Sequence, residues 1–244
     1  MRELLYDLTL INGVAAKTVE LRRRLVAIAA EFAPAAFANS LGAEDMVLTD
    51  VILSEQLDIE IFSLDTGRLP AETYDLMGRL EHRYGARLKL YYPRHDLAQA
   101  YTREHGINGF YESVELRKGC CHARKVEPLQ RALTGKAAWV TGLRAEQAIT
   151  RSALAPREFD AANGLEKFNP LADWTEQEVW AYIHANAVPY NKLHEQGYPS
   201  IGCAPCTRAV AAGEHLRSGR WWWEDSSSKE CGLHLKKSAG AERP

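Results

Sequence analysis

Two pairs of cysteines stand out among the residues that could carry out chemistry. Cys120 and Cys121 are adjacent in the stretch LRKGCCHARK, and Cys203 and Cys206 form a C-x-x-C in GCAPCTRA. The C-x-x-C spacing lets two thiolates reach one metal centre. A buried cysteine that only behaves as a small apolar side chain explains one such residue well but two pairs badly. We therefore predict that these four cysteines bind a metal centre.

The type of metal centre stays open between zinc and iron–sulfur, because both accept four thiolates. Structural zinc is usually bound by cysteines with at least two residues between them, so adjacent ligands are awkward around one small tetrahedral ion. A larger cluster has separate iron corners and accommodates neighbouring side chains more readily. This argument favours iron–sulfur without settling the choice.

Basic residues flank the adjacent cysteines. Arg117, Lys118, Arg124 and Lys125 would offset the negative charge that four thiolates bring. The alternative for such charges is a solvated helix face, and it applies most directly to Arg117 and Lys118. The spacing alone leaves both explanations standing for these two residues.

The fifth cysteine, Cys231, remains once four cysteines are assigned to a metal centre. It lies in KECGLH, in a segment that becomes rich in Ser, Gly and charge after about residue 217. Local positive charge from Lys229 and His234 would lower the pKa of its thiol and raise the thiolate fraction. We predict a mobile C-terminal tail, residues 219–244, that carries a functional thiol rather than a disordered terminus without a role.

Three glycine-containing turns each follow an apolar, strand-like run. They are NSLGAEDMVL at 39–48, SLDTGRLPAETY at 63–74 and VTGLRAEQAITRS at 140–152. A glycine turn that opens a helix offers backbone N–H groups to an anion, although one such turn is a weak signal. Three turns at the ends of parallel strands converge on one crevice, which is more specific. They predict a nucleotide-binding site.

Four arginines in and after the third turn could complete that site. If they converge, they form a binding site for a compact polyanion, because guanidinium groups bind phosphate and sulfate oxygens in pairs. These arginines are Arg144, Arg151, Arg217 and Arg220.

The elements that must position these residues alternate along the chain. We predict strands at 35–40, 59–64, 87–92 and 137–143, and helices at 18–33, 43–56 and 70–85. Strands separated by helices of this length form a parallel sheet with helices on both faces. The predicted fold is therefore α/β and Rossmann-like, with one nucleotide- and metal-binding domain over residues 1–218.

The composition is that of an ordinary globular protein. The chain has 244 residues, 46% hydrophobic residues and a net charge of −2. The charge gives no general attraction to nucleic acid or to a membrane surface. No apolar run approaches the length of a membrane span or resembles a signal peptide, so we expect a cytoplasmic protein. Structural disulfides are then disfavoured, because that compartment is reducing.

The motifs taken together resemble one enzyme family. SLGAED, LDTGRLPAETY, RKGCCHARKVEPL, TGLRAEQAITRS, GCAPCTRA, SGRWWWE and KECGLH are similar to those of the assimilatory sulfonucleotide reductases. More narrowly, they resemble the bacterial adenylyl-sulfate (APS) reductases that carry an iron–sulfur cluster. The resemblance runs from about residue 38 to residue 234, and the cysteine pairs and the tail motif are its most specific parts.

The resemblance implies a fold, a cofactor and a set of site residues. The fold would be the adenine-nucleotide-binding PP-loop type, and the cofactor a [4Fe–4S] cluster on Cys120, Cys121, Cys203 and Cys206. Homo-oligomers are also usual in the family. Cys231 would be the nucleophile. The implied substrate-binding residues are Ser40, Gly42, Leu64, Lys125, Gly142, Arg151, Arg217, Arg220 and His234.

The reaction implied is the reduction of APS to sulfite and AMP. Cys231 would attack the sulfate sulfur, AMP would leave, and an S-sulfocysteine would remain. Cysteines bound to a cluster cannot resolve this adduct, so an external thiol donor such as thioredoxin or a glutaredoxin-like protein is needed. Leu41, directly before Gly42, departs from relatives that have a second Ser there, which bears on single hydrogen bonds and not on the reaction.

The same residues argue against three rival functions. An ATP-dependent tRNA-thiolating enzyme of this fold is disfavoured by Glu44 and Asp45, whose charge would discourage a long phosphate chain. A reductase of 3′-phospho-APS (PAPS) typically lacks the cluster cysteines. A non-catalytic iron–sulfur redox sensor would need neither Cys231 nor the nucleotide loops.

Overall fold

The computed structural model describes residues 8–147, 154–211 and 213–225. Within these residues a single mixed sheet has six strands: β1 Ala35–Ala38, β2 Ile59–Leu64, β3 Lys89–Tyr91, β4 Ala138–Val140, β5 Arg157–Asp160 and β6 Leu165–Phe168. Their order across the sheet is β3-β2-β1-β4-β6-β5. All neighbouring pairs are parallel except β5 and β6, which pair antiparallel at one edge. The predicted α/β fold with a largely parallel sheet is confirmed.

Helices cover both faces of this sheet. In the described residues the α-helices are α1 Leu8–Glu31, α2 Ala43–Ser54, α3 Ala71–Tyr84, α4 His95–His105, α5 Val114–Cys121, α6 Glu127–Leu133 and α7 Glu176–Ala185. Helices α5 and α6 are joined by a π-helical turn, His122–Val126. None of the described helices combines the length and the hydrophobicity that a bilayer span requires.

The alternation of side chains along the central strands builds two separate cores. Ala35 and Phe37 of β1 pack into a large core with α1, α2, α3 and α7. Ala36 between them faces a smaller core, where it meets Trp139 of β4 and Leu133 of α6. Successive residues of a strand point to opposite faces, so both faces of the sheet are buried.

The strand order creates a topological switch point between β1 and β4. The chain runs outward from β1 through β2 and β3 on one side, and β4 then begins the other side. In open α/β sheets ligands bind beyond the carboxyl ends of the strands at such a point. The turns at 39–42 and 141–144 follow these two strands. The predicted convergence of these two glycine turns is therefore observed.

Some elements differ from the sequence-based prediction. The predicted strands are found, although β1, β3 and β4 are shorter than the apolar runs that contain them. The hairpin of β5 and β6 was not predicted, because each strand has four residues and mixes charged with apolar side chains. Its turn is held by Asp160, whose carboxylate accepts hydrogen bonds from the backbone N–H groups of Ala162 and Asn163.

The beginning of the predicted tail is folded. Trp221 is 1% exposed, and its backbone N–H donates to the carbonyl of Cys206. Arg220 forms a β-bridge with Thr207. The packed part of the chain therefore extends past residue 218, to at least Glu224. Residues 226–244 lie outside the described residues, and a mobile tail there stays a prediction.

Candidate active site

The turn after β1 is held in shape by a carboxylate from its own helix. Asp45 Oδ2 accepts hydrogen bonds from the Ser40 backbone N–H at 2.6 Å and from Ser40 Oγ at 2.5 Å. A backbone N–H of Gly142, in the turn after β4, also donates to Asp45. Burial raises the pKa of the Asp45 carboxyl to about 7, although the hydrogen bonds from Ser40 act in the opposite direction. Asp45 thus links the two turns of the switch point.

The close approach of the two turns requires glycine at position 142. A Cβ atom on Gly142 would lie 2.0 Å from Asp45 Oδ1, far inside van der Waals contact. Leu41 in the facing turn has a left-handed backbone, with φ of 63°, and its N–H donates to Asn39 Oδ1. These contacts give the two turns a fixed separation.

The charges near the turns are largely matched within the protein. Arg144 is 2% exposed and contacts Glu44 Oε1 at 2.8 Å and Glu146 Oε2 at 2.7 Å. Arg144 is therefore already paired with carboxylates, and it is not available to bind a polyanion as predicted from the sequence. For the same reason the charge of Glu44 is offset by Arg144, so it repels phosphate less than the sequence suggested.

A cavity of about 240 Å³ lies over the carboxyl ends of β1, β2 and β4. Seven of the residues predicted to bind the substrate line it: Ser40, Gly42, Leu64, Lys125, Gly142, Arg217 and Arg220. We call it the strand-end pocket. The structure brings these seven residues together, and their roles in binding stay predictions. Arg151, Cys231 and His234 lie outside the described residues.

Sequence reasoning missed part of the pocket lining. Trp180 of α7, His194 and Glu176 line the same cavity. The rings of Trp180 and His194 meet edge to face, with centroids 5.2 Å apart. Burial lowers the pKa of His194 and raises the pKa of Glu176. No motif marks these residues in the sequence, because they reach the pocket from elements distant along the chain.

The four predicted metal-binding cysteines lie together in a second cavity. Cys120 and Cys121 end helix α5, Cys203 directly precedes the short 3₁₀ turn Ala204–Cys206, and Cys206 is the last residue of that turn. All four line one cavity, which we call the cysteine cavity. Helix α5 passes directly into the π-helical turn, and such turns are frequent at functional sites.

The thiols of this cavity have different proton affinities. Burial raises the pKa of Cys120, and raises the pKa of Cys206 to about 12 together with the nearby Cys203. Burial alone would also raise the pKa of Cys203, but the charge of Lys125 and a hydrogen bond with Thr66 lower it. The Thr66 hydroxyl lies 3.2 Å from Cys203 Sγ.

The donor set of the cysteine cavity fits an iron–sulfur cluster in its chemistry. Four thiols line the same cavity, and two buried N–H groups of the lining, Arg220 Nε and Trp221 Nε1, have no hydrogen-bond acceptor among the described residues. Cluster sulfurs accept such hydrogen bonds. No three His, Cys, Asp or Glu side chains in the described part of the chain are placed as ligands of one metal ion.

The basic residues near the cysteines divide into two kinds. Lys118 is exposed, as a solvated helix face predicts, whereas Arg117 is 1% exposed and lines the cysteine cavity. The solvated-face explanation is therefore wrong for Arg117. Arg124 and Lys125 also line the cavity, and so does Arg68, which lies in none of the cysteine motifs.

Known proteins that are similar to this chain in sequence include reductases of sulfonucleotides. The phosphoadenosine phosphosulfate reductase domain matches residues 34–209. Adenosine 5′-phosphosulfate reductase from Allochromatium vinosum is 62% identical over 203 residues, which cover 83% of this chain and 79% of that protein. The enzyme of the same name from Burkholderia cepacia is 56% identical, with 91% and 89% covered.

Solved structures agree in fold. A phosphoadenylyl-sulfate reductase from Candida auris, a phosphate complex, superposes with a TM-score of 0.65 at 28% identity and covers 84% of this chain and 98% of its own. Yeast FAD synthetase, at 16% identity, gives a TM-score of 0.56, with 85% of this chain and 70% of that chain covered. The second likeness shows a shared fold only.

Proposed function

The chain belongs to the phosphoadenosine phosphosulfate reductase domain family, and from that premise we propose that it is an oxidoreductase that converts APS to sulfite and AMP. The relatives of 54–62% identity that carry the name adenosine 5′-phosphosulfate reductase support this substrate. Sulfite formed in this way serves sulfate assimilation.

One structural observation carries the proposal: the strand-end pocket and the cysteine cavity adjoin. Lys125 and Arg220 line both of them. A phosphosulfate bound at these two cations lies beside the cysteines, while its nucleoside extends towards the turns after β1 and β4. A site for a compact anion beside four cysteines fits the proposed cluster-containing reductase of a sulfonucleotide, because a cluster held there would set the charge next to the phosphosulfate.

The charges of the pocket support a site for the phosphosulfate. Lys125, Arg217 and Arg220 line it, and arginine and lysine bind phosphate and sulfate oxygens strongly. Glu44, Asp45 and Glu176 also line it, but Arg144 offsets the charge of Glu44, and burial raises the pKa of Asp45 and of Glu176. The preference for APS over PAPS therefore rests on the names of the similar proteins and not on the charge of the pocket.

The proposed nucleophile is Cys231. Its thiolate attacks the sulfate sulfur of APS, the bond between that sulfur and the phosphate oxygen breaks, and AMP leaves with the electron pair. Lys125, Arg217 and Arg220 would stabilise the negative charge that grows on the leaving phosphate. Cys231 then carries an S-sulfonate. His234 is a further proposed substrate contact in the same segment.

A thiol donor completes the proposed reaction. A donor thiolate attacks Cys231 Sγ, sulfite leaves, and a mixed disulfide forms; the second donor thiol then frees Cys231 and leaves the donor as a disulfide. The donor thus supplies both electrons. We propose thioredoxin or a glutaredoxin-like protein for this role, a homo-oligomeric assembly, and a cytoplasmic location where such donors are reduced.

We propose that Cys120, Cys121, Cys203 and Cys206 hold a [4Fe–4S] cluster. The four thiols that line one cavity and the N–H groups of Arg220 and Trp221, which have no acceptor among the described residues, support this choice. When bound, the cluster would supply fixed charge beside the phosphosulfate. Lys125 and Arg220 line both cavities, so they would hold the substrate in a fixed position relative to the thiolates.

Turnover of APS against PAPS tests the proposed function. With reduced thioredoxin and iron-replete protein, we expect sulfite from APS and a kcat/KM for PAPS that is lower by at least about a hundredfold, the size of two charged hydrogen bonds. Equal or better turnover of PAPS would assign the chain to the other reductase class. No turnover of either nucleotide, with the iron intact, would favour a redox sensor.

A further inference from the structure

A buried ion pair joins the cysteine-bearing helix to the C-terminal segment. Arg117 Nε donates to Glu224 Oε1 and an Arg117 terminal nitrogen donates to Glu224 Oε2, each at 2.8 Å. The two side chains are 1% and 3% exposed. A paired fork of this kind fixes orientation as well as distance, because two parallel hydrogen bonds restrict rotation. No local pattern in the sequence predicts the pair, because its members are 107 residues apart.

The same arginine also packs on the chain just before Glu224. The guanidinium carbon of Arg117 lies 4.6 Å from the centroid of the Trp221 ring, and that of Arg220 lies 4.7 Å from it. Cations at this distance from an indole are attracted to its π-system. Trp221 therefore connects helix α5 to Arg220, which lines both cavities.

The position of this pair relates it to the proposed chemistry. Arg117 lines the cysteine cavity and hydrogen-bonds the side chain of Cys121. Glu224 precedes Cys231 by seven residues. We propose that the Arg117–Glu224 pair anchors the root of the C-terminal tail to helix α5 and so positions the Cys231 thiol for attack. This inference rests on the proposed function for the role of Cys231.

On the predicted mobile tail, the anchor would limit how far the thiol can travel. Seven residues from Glu224 to Cys231 span at most about 24 Å. If the segment came loose back to the bridge at Thr207, the tether would lengthen to 24 residues. Effective concentration falls as about the −3/2 power of tether length, so the local thiol concentration would drop roughly sixfold. If only Glu224 came free and Trp221 held, the drop would be less than about twofold.

Limited trypsin digestion tests the anchor without any assay of activity. Two variants break the pair: Glu224→Gln, and the double variant Arg117→Met/Glu224→Met. The double variant removes both charges, and replacing a buried ion pair by apolar residues of similar volume is usually well tolerated. Glu214→Gln is the matched control, because Glu214 forms a similar fork with Arg208 but on an exposed surface.

Cleavage after Arg220 is the readout, with cleavage after Lys229 as the internal reference. We expect both pair-breaking variants to be cut after Arg220 at least tenfold faster than the wild type. Glu214→Gln should stay within twofold of the wild type, and cleavage after Lys229 should be equal in all four proteins. Protection of Arg220 in the double variant would overturn the anchor, because filling the buried space would then suffice.

The melting temperature distinguishes a positioning role of the Arg117–Glu224 pair from a purely stabilising role. The double variant should melt near the wild-type temperature, yet remain cut rapidly after Arg220. If rapid cutting appears only together with a lowered midpoint, the pair is a stabilising contact and the proposal is wrong.

Single-turnover kinetics then test the role in attack. Mixed with APS and no reductant, Glu224→Gln, which leaves Arg117 and its contact with Cys121 in place, should form the Cys231 adduct about two- to sixfold more slowly than the wild type, at an unchanged final amount per chain. An unchanged rate in a variant whose segment is released would refute positioning. Absence of an adduct in the wild type would instead refute the proposed function, and the digestion would still decide the anchor.

Discussion

The two adjoining cavities differ in the chemistry of their buried groups. In the strand-end pocket, Asp45 accepts from Ser40 and Glu44 pairs with Arg144, although His194 Nε2 has no hydrogen-bond partner among the described residues. In the cysteine cavity, Arg220 Nε and Trp221 Nε1 have no hydrogen-bond acceptor among the described residues, and burial raises the pKa of two of the four thiols.

This difference indicates that the strand-end pocket is preformed, whereas the cysteine cavity needs a bound group to complete it. The strand-end pocket is held in shape by the protein's own contacts, so a nucleotide can enter without reorganising its walls. The cysteine cavity concentrates donors and thiols that a metal–sulfur group would satisfy, since metal binding removes the thiol protons and supplies sulfur acceptors. The variants below should affect one cavity and spare the other.

The largest effect is expected from a cysteine ligand. Cys203→Ser removes one of four proposed thiolate ligands, and we expect loss of the iron and at least about a hundredfold loss of APS turnover. The wild-type protein, purified without oxygen, should hold about four irons per chain. Iron analysis and sulfite formation measure the two quantities, and stoichiometric zinc without iron would contradict the cluster.

Variants of two arginines should distinguish the roles of the two cavities. Arg217→Ala and Arg220→Ala should each weaken APS binding by about 1.5–3 kcal/mol, the range for hydrogen bonds to charged groups. Arg217 lines only the strand-end pocket of the two, so its variant should keep its iron, whereas the Arg220 variant should also lose iron more readily. Binding isotherms with APS and iron release to a chelator distinguish the two variants. Equal iron release would show that Arg220 does not serve both cavities.

A glycine variant should alter the strand-end pocket alone. In Gly142→Ala the new methyl group would meet Asp45 Oδ1 at 2.0 Å and force the two turns apart. We expect the KM for APS to rise about tenfold, the effect of roughly 1.4 kcal/mol, with unchanged iron content. Gly78→Ala is the control, because a Cβ atom there meets nothing within 4 Å. A normal KM for the Gly142 variant would mean that the separation of the turns is adjustable.

The smallest effect concerns pH. Burial raises the pKa of Asp45 from 3.8 to about 7, so the folded state binds its proton more tightly than the unfolded state. The contribution of Asp45 to stability should therefore fall as pH rises from about 4 to about 7. Between pH 5 and pH 8, the melting temperature of the wild type relative to Asp45→Asn should decline by on the order of 5 °C.

Asp173→Asn is the control for that slope. Burial would raise the pKa of Asp173, but a hydrogen bond and the charge of Arg24 lower it below its usual value. Asp173 is therefore ionised in both states above pH 5 and should give a flat difference. A flat difference for Asp45 as well would mean that its carboxylate is ionised throughout.

The sequence predicts some features of the site well and others not at all. The glycine turns and the cysteine pairs are local patterns, and the structure places each in a cavity at the carboxyl ends of the strands or next to it. Whether a charge such as Arg117 is solvated or buried depends on Glu224, 107 residues away, and no local spacing encodes that contact. The hairpin of β5 and β6 was missed because its strands are too short for a clear alternation.

The most direct test of the account is the identity of the residue that takes up the sulfur group. Incubated with APS and no reductant, the protein should release one AMP and gain one sulfonate per chain, which peptide mapping should place on Cys231. Thioredoxin should then remove it as sulfite. Cys231→Ser should bind APS and keep its iron but form no adduct, since a serine hydroxyl is a far weaker nucleophile near neutral pH. An adduct on another residue, or substantial turnover by Cys231→Ser, would contradict the thiol mechanism.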